Sequence, residues 1–136
     1  MVKRWLICGL LSAPLCVSGL PQASAYETAY QCVVKESKQL ADDGTLETWD
    51  YHLDAEFFVD KATGRMNGKL KNHGLHGDPT VIDPGSNQQA FKVITVHEHE
   101  WHSVDYLNVK SFAEGYEKPF VFSSGTVVYS GTCKSY

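Results

Sequence analysis

Apolar and polar residues alternate strictly from Trp49 to Val59, and this is the clearest periodic pattern in the chain. The apolar positions are Trp49, Tyr51, Leu53, Ala55, Phe57 and Val59, and the polar positions between them are Asp50, His52, Asp54 and Glu56. Successive side chains on a β-strand point to opposite faces, so the pattern predicts a strand with one apolar face and one acidic face. Because the apolar face needs a second surface to cover it, the stretch predicts a β protein with a single core.

Shorter runs predict strands on either side of this stretch. Alternation at Tyr30–Val34 predicts the first strand, and the polar segment 36–45 that follows contains the turn-forming sequence Asp42-Asp43-Gly44. Residues 60–64 end in glycine and predict the loop of a β-hairpin. The return strand of that hairpin is expected at 65–71.

The second half of the chain alternates loops with short strands. Residues 72–89 are rich in Gly, Pro and Asn and hold one brief predicted strand, Thr80–Asp83. Further strands are predicted at Phe91–Val96, Val104–Phe112, Phe120–Phe122 and Thr126–Tyr129, with Pro119 as a break. Seven or eight short strands without a helical pattern predict an all-β fold, an antiparallel meander forming a small barrel or a sandwich.

The first residues have the pattern of an export signal. Lys3 and Arg4 precede an apolar run, 5–20, and Ala23-Ser24-Ala25 follows it. This order predicts a signal peptide, 1–25, cleaved after Ala25, and a single β domain, 26–136. The apolar run contains a proline and is short for a membrane span, so we expect a periplasmic or secreted protein without a membrane span after cleavage.

The net charge of the chain limits the classes of partner that it is expected to bind. The formal net charge is −4 at pH 7, and cleavage of the predicted leader removes two more basic residues. No cluster of Lys and Arg remains, whereas nucleic acids and anionic membranes select for such clusters. We therefore expect a protein, a glycan or a small ligand as the partner, and no nucleic acid.

Two cysteines remain after cleavage, because Cys8 and Cys16 leave with the leader. Cys32 and Cys133 have one intramolecular pairing in an oxidising compartment, so a disulfide between them is predicted. Closing a loop of about a hundred residues stabilises by roughly 4–5 kcal/mol in the chain-entropy model. A bond between the first and last strands favours closure of the sheet.

A dense histidine segment, H-E-H-E-W-H at 97–102, is the sharpest candidate for chemistry. On a strand, His97 and His99 share a face about 7 Å apart, and His102 could add a third nitrogen ligand. Three imidazoles with an open position predict a zinc or copper site. The alternative is a solvated hairpin tip. His73 and His76 could join the cluster only if the fold brings them close.

Two other sets of residues carry weaker hypotheses. The acidic face of the 49–59 strand could bind calcium or hold a tuned base, although alternation alone already explains it. Trp101 and Tyr116 are candidates for an exposed aromatic binding surface that would grip a sugar or a partner protein, the alternative being that they belong to the core. No familiar enzyme signature occurs in the chain, which argues against catalysis.

Three segments resemble small uncharacterised secreted proteins of proteobacteria. They are F-x-V-D-x-x-T-G-x-x-x-G at 57–68, G-S-x-x-x-x-F-K at 85–92, and E-K-P-F with a closing Y-S-G-T-C at 117–133. This resemblance implies no activity or site. A weaker likeness, in Tyr30-Gln31-Cys32 and Cys133, is to the periplasmic inhibitors of C-type lysozyme, which are small β-barrels. The S-G-x-x-Y loop of that family has no counterpart here, so inhibition is an analogy from architecture.

These observations together predict an exported, disulfide-closed, non-enzymatic binding or envelope-associated module without a cofactor. One alternative is a periplasmic zinc- or copper-binding protein that uses His97, His99 and His102. Another is an inhibitor of a cell-wall hydrolase such as lysozyme.

Overall fold

The computed structural model describes residues 27–99 and 102–136, in which the chain forms nine β-strands and no helix. The strands are β1 (Ala29–Leu40), β2 (Leu46–Thr48), β3 (Glu56–Asp60), β4 (Met66–Gly68), β5 (Pro79–Pro84), β6 (Phe91–His97), β7 (Ser103–Val109), β8 (Glu117–Ser124) and β9 (Val127–Ser135). The all-β prediction is confirmed. The predicted signal peptide, 1–25, lies outside the described residues.

All nine strands belong to one antiparallel sheet, which curls into a half-barrel. Eight of them follow the order β4-β3-β1-β9-β8-β7-β6-β5, and β2 pairs with the end of β1. Strands β5 to β9 form a meander, as predicted, and β1 continues the sheet beside β9. The long strand β1 therefore lies between the meander on one side and β2 and β3 on the other.

The two end strands of this order, β4 and β5, face each other across a seam that side chains bridge. The segment 69–78 connects them, and Arg65 pairs with Asp78 across it at 3.3 Å. Gly64 lies so close to Val81 and Val93 that a Cβ placed there would meet their methyl groups. Packing of side chains thus replaces a backbone ladder at the seam.

Large apolar side chains fill the inside of the curled sheet. The largest fully buried ones are Phe57, Phe91, Phe122, Met66 and Leu107. The ring of Tyr30 lies 5.5 Å from that of Phe91, and the ring of Phe57 lies 5.2 Å from that of Phe120 in an edge-on arrangement. These contacts join strands that are distant in the sheet order, so one core holds the half-barrel together.

The predicted disulfide is present between Cys32 on β1 and Cys133 on β9. The two residues are direct cross-strand partners with their Cα atoms 4.0 Å apart, and both are fully buried. The bond therefore links two neighbouring strands, the first and the last of the described residues. It does not link the two strands of the seam.

The prediction of one continuous strand over 49–59 is wrong in its first half. Residues 51–54 form turns, and Tyr51 and Leu53 are 63% and 39% exposed. Ala55, Phe57 and Val59 are buried as the alternation predicted. The stretch runs antiparallel to β1 as β2 and then β3, but it loops away from the sheet between them.

Backbone conformation explains this interruption. His52 and Asp54 have positive φ angles of 72° and 58°, which an extended strand does not allow. The loop lies opposite a bulge in β1 between Val34 and Glu36, where pairing with β9 shifts register. Hydrogen bonds from Asp54 N to Val34 O and from Val34 N to Ala55 O, both 3.0 Å, fix the end of the loop against the bulged strand.

Two further predictions need correction. The segment 36–45 was expected to be a connection, but β1 continues through it to Leu40, and the predicted turn at 42–44 follows. Pro119 was expected to break a strand, but it lies inside β8. Its carbonyl accepts a hydrogen bond from Lys110, which directly follows β7. The backbone N and C=O of one residue point to the same side of a strand, so the nitrogen of Pro119 points toward the end of β7. Proline has no N–H to donate there, but the hydrogen bonds between β8 and β9 are on the other side and are unaffected.

A glycine on β9 provides a test of this packing. A Cβ at Gly131 would overlap the carbonyl oxygen of Val33 and contact the Phe120 ring. We expect Gly131→Ala to lower the free energy of unfolding by about 3 kcal/mol or more, because the β1–β9 ladder must move apart. Urea unfolding measures this change.

The matched control for that substitution is Gly74→Ala. Gly74 has no heavy atom within 4 Å of its ideal Cβ, so this change should stay within about 0.5 kcal/mol of the parent protein. Equal stabilities of the two variants would contradict the β1–β9 packing described above.

Candidate functional site

Three histidines meet beside the end of β6, and we call His76, His97 and His99 the histidine cluster. His97 ends β6, His99 follows it, and His76 lies in the segment that crosses the seam. The backbone N–H of Glu98 donates to the carbonyl of His76 at 2.8 Å. Gly77 lies against the Val96 carbonyl, where a Cβ would come within 2.5 Å of the oxygen. A glycine at this position therefore allows the segment to lie directly on β6.

The imidazole rings of the cluster are in contact. The ring centroids of His76 and His99 are 4.2 Å apart, and those of His97 and His99 are 6.2 Å apart with the planes nearly parallel. The strand does not continue through His99 as the spacing argument assumed, because β6 ends at His97 and the His99 N–H donates to the His97 carbonyl at 3.2 Å. The fold adds His76, which is distant from them in sequence.

A buried carboxylate orients one ring of the histidine cluster. Nε2 of His97 lies 2.7 Å from Oδ2 of Asp105, which is only 6% exposed. In the neutral ring, a proton on Nε2 donates to this carboxylate and leaves Nδ1 as a lone pair. Thr95, the cross-strand partner of Asp105, has a buried hydroxyl without a hydrogen-bond partner among the described residues. The end of β6 thus combines imidazole, carboxylate and hydroxyl groups.

The predicted ligand set is only partly assembled. His97 and His99 are close together, whereas His102 is exposed at the start of β7. Within residues 27–99 and 102–136, no three His, Cys, Asp or Glu side chains are arranged to hold a metal ion. A zinc or copper site at His97, His99 and His102 stays a prediction. Sequence reasoning missed Asp105, although a charged residue at an inward position of a strand is a usable signal.

A second group of side chains lies on the loop between β2 and β3, and we call residues 49–55 the aromatic turn. The rings of Trp49 and Tyr51 are 6.2 Å apart, those of Tyr51 and His52 are 4.2 Å apart, and His52 lies 5.9 Å from Tyr129 on β9. Burial raises the pKa of Tyr129 above its usual value, and the nearby Tyr51 phenol adds to this effect. Tyr129 therefore keeps its proton at neutral pH.

The acidic face predicted for the 49–59 strand is not formed. Asp50, His52 and Asp54 lie in the aromatic turn and Glu56 lies on β3, so the four residues do not share one strand face. The calcium or base hypothesis for this face loses its geometric basis. His52 packs between two tyrosine rings instead of facing solvent with the carboxylates.

The predicted aromatic binding surface is described for one of its two residues. Tyr116 is 68% exposed, with the Lys134 ammonium 5.7 Å from its ring centroid. The neighbouring Glu117 carboxylate lies 3.6 Å from Lys35, which together with a Thr132 hydrogen bond lowers its pKa. Trp101 lies outside the described residues. A binding role for Tyr116 stays a prediction.

Comparison with protein-family models, curated proteins and solved structures found no match to this chain. The likeness to small secreted proteins and to lysozyme inhibitors therefore stays a prediction from the motifs. In the described part of the chain, no helix is long and apolar enough to cross a membrane.

The contact between His97 and Asp105 yields a stability prediction. Asp105→Ala should lower the free energy of unfolding by about 1–3 kcal/mol, because Nε2 of the largely buried His97 side chain loses its acceptor. Asp105→Asn keeps an oxygen acceptor and should cost less. Urea unfolding at neutral pH measures both changes.

Asp78→Ala is the control for the Asp105 variants. Asp78 is highly exposed and pairs with an exposed Arg65, so its loss should change stability by about 0.5 kcal/mol or less. If the Asp105 and Asp78 variants were equally stable, the His97–Asp105 contact would contribute no more to stability than an exposed ion pair.

Proposed function

We propose that the protein is an exported, non-enzymatic binding module that holds its ligand on the outside of the half-barrel. The observation that carries this proposal is the filled interior. Phe57, Phe91 and Phe122 are fully or almost fully buried inside the sheet and pack with Met66 and Leu107. A ligand inside the barrel would have to displace these side chains, whereas the surface is free to bind.

The surface offers suitable contacts for such a role. Large apolar or aromatic side chains remain exposed at several positions, among them Tyr51, Leu53, Val96, Val104 and Tyr116. Val96 and Val104 are cross-strand partners on the outer face of β6 and β7. Exposed aromatic rings beside polar groups are enriched where proteins bind partners. The buried disulfide supports export, since such bonds persist in oxidising compartments.

A ligand screen by nuclear magnetic resonance tests this proposal. The isotope-labelled, disulfide-bonded protein is titrated separately with zinc, neutral oligosaccharides, short peptides and C-type lysozyme. We expect at least one ligand to shift signals of surface residues such as Tyr51, His99 or Tyr116, and we expect the ligand to be recovered unchanged. The signals of Phe57, Phe91 and Phe122 should stay in place.

Two results of this screen would contradict the proposal. Chemical conversion of an added ligand would indicate an enzyme. Shifts concentrated on the interior phenylalanines would indicate a ligand that enters the half-barrel.

A second candidate function is binding of zinc or copper, and the specific observation in its favour is the contact between His76 and His99. Two imidazoles 4.2 Å apart, with His97 beside them, offer the nitrogen ligands that both metals prefer. The carboxylate of Asp105 would orient His97, as outer partners of metal-binding histidines commonly do. Rotation of the exposed His99 side chain would be needed to bring the nitrogens together.

Calorimetric titration with zinc and copper tests the metal hypothesis and its ligand set. His76→Ala and the double variant His97→Ala/His99→Ala should each weaken binding about tenfold or more. His73→Ala is the control, because His73 contacts Asn67 and Arg65 away from the cluster. A loss in His102→Ala but not in His76→Ala would favour the ligand set predicted from sequence. Equal, weak binding by all variants would remove the hypothesis.

A further inference from the structure

The aromatic turn is strained and yet firmly held. Two non-glycine residues, His52 and Asp54, adopt left-handed backbone conformations within three positions. Such conformations persist only where the surrounding structure enforces them, and they concentrate at binding and catalytic sites. Here the enforcing contacts are the backbone bonds of Asp54 and Ala55 to Val34 and the bond from Trp49 N to Ser37 O at 3.0 Å.

The turn uses this conformation to present side chains to solvent. Ala55 is buried and Trp49 is half-buried against the core, whereas Tyr51 and Leu53 between them point outward. The rings of Trp49 and His52 pack against the ring of Tyr51. A ring held in this way loses little conformational freedom when a ligand packs on it.

A cavity of about 330 Å³ opens beside these side chains. It is lined by Tyr51, His52, Leu53, Asp54, Ala55 and Lys69. Its size is at the small end of the range for ligand sites, which suits one or two sugar rings. A larger cavity of about 480 Å³ at the β1–β2 hairpin is lined by Asp42, Asp43 and Glu47 and contains no aromatic ring.

The lining chemistry selects among ligands. Asp54 and Lys69 carry opposite charges, so the cavity favours neither an anion nor a cation. The carboxylate accepts hydrogen bonds and the ammonium donates them, while Tyr51 and Leu53 offer apolar surface. A neutral sugar ring has hydroxyls that both donate and accept, together with an apolar C–H face. It complements all of these groups at once.

We infer that the aromatic turn is the ligand site of the binding module proposed above, and that it binds a ring of a neutral oligosaccharide. Tyr51 packs against the apolar face of the sugar, and Asp54 and Lys69 hydrogen-bond to its hydroxyls. This inference rests on the proposed function and specifies both its site and its ligand class.

The experiment titrates the disulfide-bonded protein with chitotriose, maltotriose and cellotriose. Signals of residues 51–55 and Lys69 should shift with at least one of the three. The dissociation constant, measured by calorimetry, should rise about tenfold or more in Tyr51→Ala and change less than about threefold in Tyr51→Phe, which keeps the ring. Asp54→Asn should also weaken binding, and asparagine tolerates the left-handed backbone there.

Tyr136→Ala is the matched control, because Tyr136 is a similarly exposed tyrosine outside the turn and has no part in the proposed binding surface. It should leave the dissociation constant unchanged. Circular dichroism and urea unfolding of each variant establish that the fold is intact, which the exposure of Tyr51 leads us to expect.

Three outcomes would overturn this inference. One is that no trisaccharide shifts the signals of the turn. Another is that Tyr136→Ala abolishes binding while Tyr51→Ala does not. The third is that the turn binds a peptide or a protein and no sugar, which would leave the proposed binding module standing without its sugar ligand.

Discussion

The pairing of β1 with β9 is the interaction on which the rest of the structure depends. Among the described strands, it is the only ladder that joins β1–β4 to the meander β5–β9. The Cys32–Cys133 bond crosses this ladder, and Gly131 allows the two backbones to approach closely beside it. Because the bond connects residues 101 positions apart in sequence, it also restricts the unfolded chain. Loss of this ladder would separate the sheet into two parts, neither of which encloses the core.

The same ladder determines where the aromatic turn lies. The bulge at Val34–Glu36 interrupts the pairing of β1 with β9, and the chain on the other side of β1 leaves the sheet at the same level. Bulges bend a strand and are common beside functional sites. The strain at His52 and Asp54 is thus compensated by the most strongly constrained part of the sheet. A rigid binding surface follows from this arrangement without any helix or long loop.

Sequence reasoning predicted the fold because inward positions repeat every second residue. Cys32, Val34, Phe57 and Val59 are buried as the pattern required, and the lone cysteine pair had one partner choice. The strand prediction failed in the aromatic turn because Tyr51 and Leu53 continue the alternation of apolar and polar residues although they face solvent. No glycine or proline marks the turn. The contact of His76 with His99 follows from the antiparallel register of β5 with β6, which places the His76 carbonyl against the Glu98 N–H beyond the paired residues Pro79 and Thr95. A bulge between Val81 and Asp83 shifts this register by one residue, and nothing in the loop-like sequence 72–89 marks its position.

The two candidate sites differ in how they relate to the stability of the sheet. The histidine cluster lies at the open end of the β5–β6 hairpin, where the Glu98 N–H donates to the His76 carbonyl in the same register as the strand pairing. A metal ion bound by His76 and His99 would join the two segments of this one hairpin beyond its paired residues Pro79 and Thr95. A sugar bound at the aromatic turn would contact only one side of the β1 ladder, whose geometry is already fixed. By linkage, metal binding would therefore oppose local opening of the β5–β6 hairpin end, whereas sugar binding would leave that hairpin unchanged.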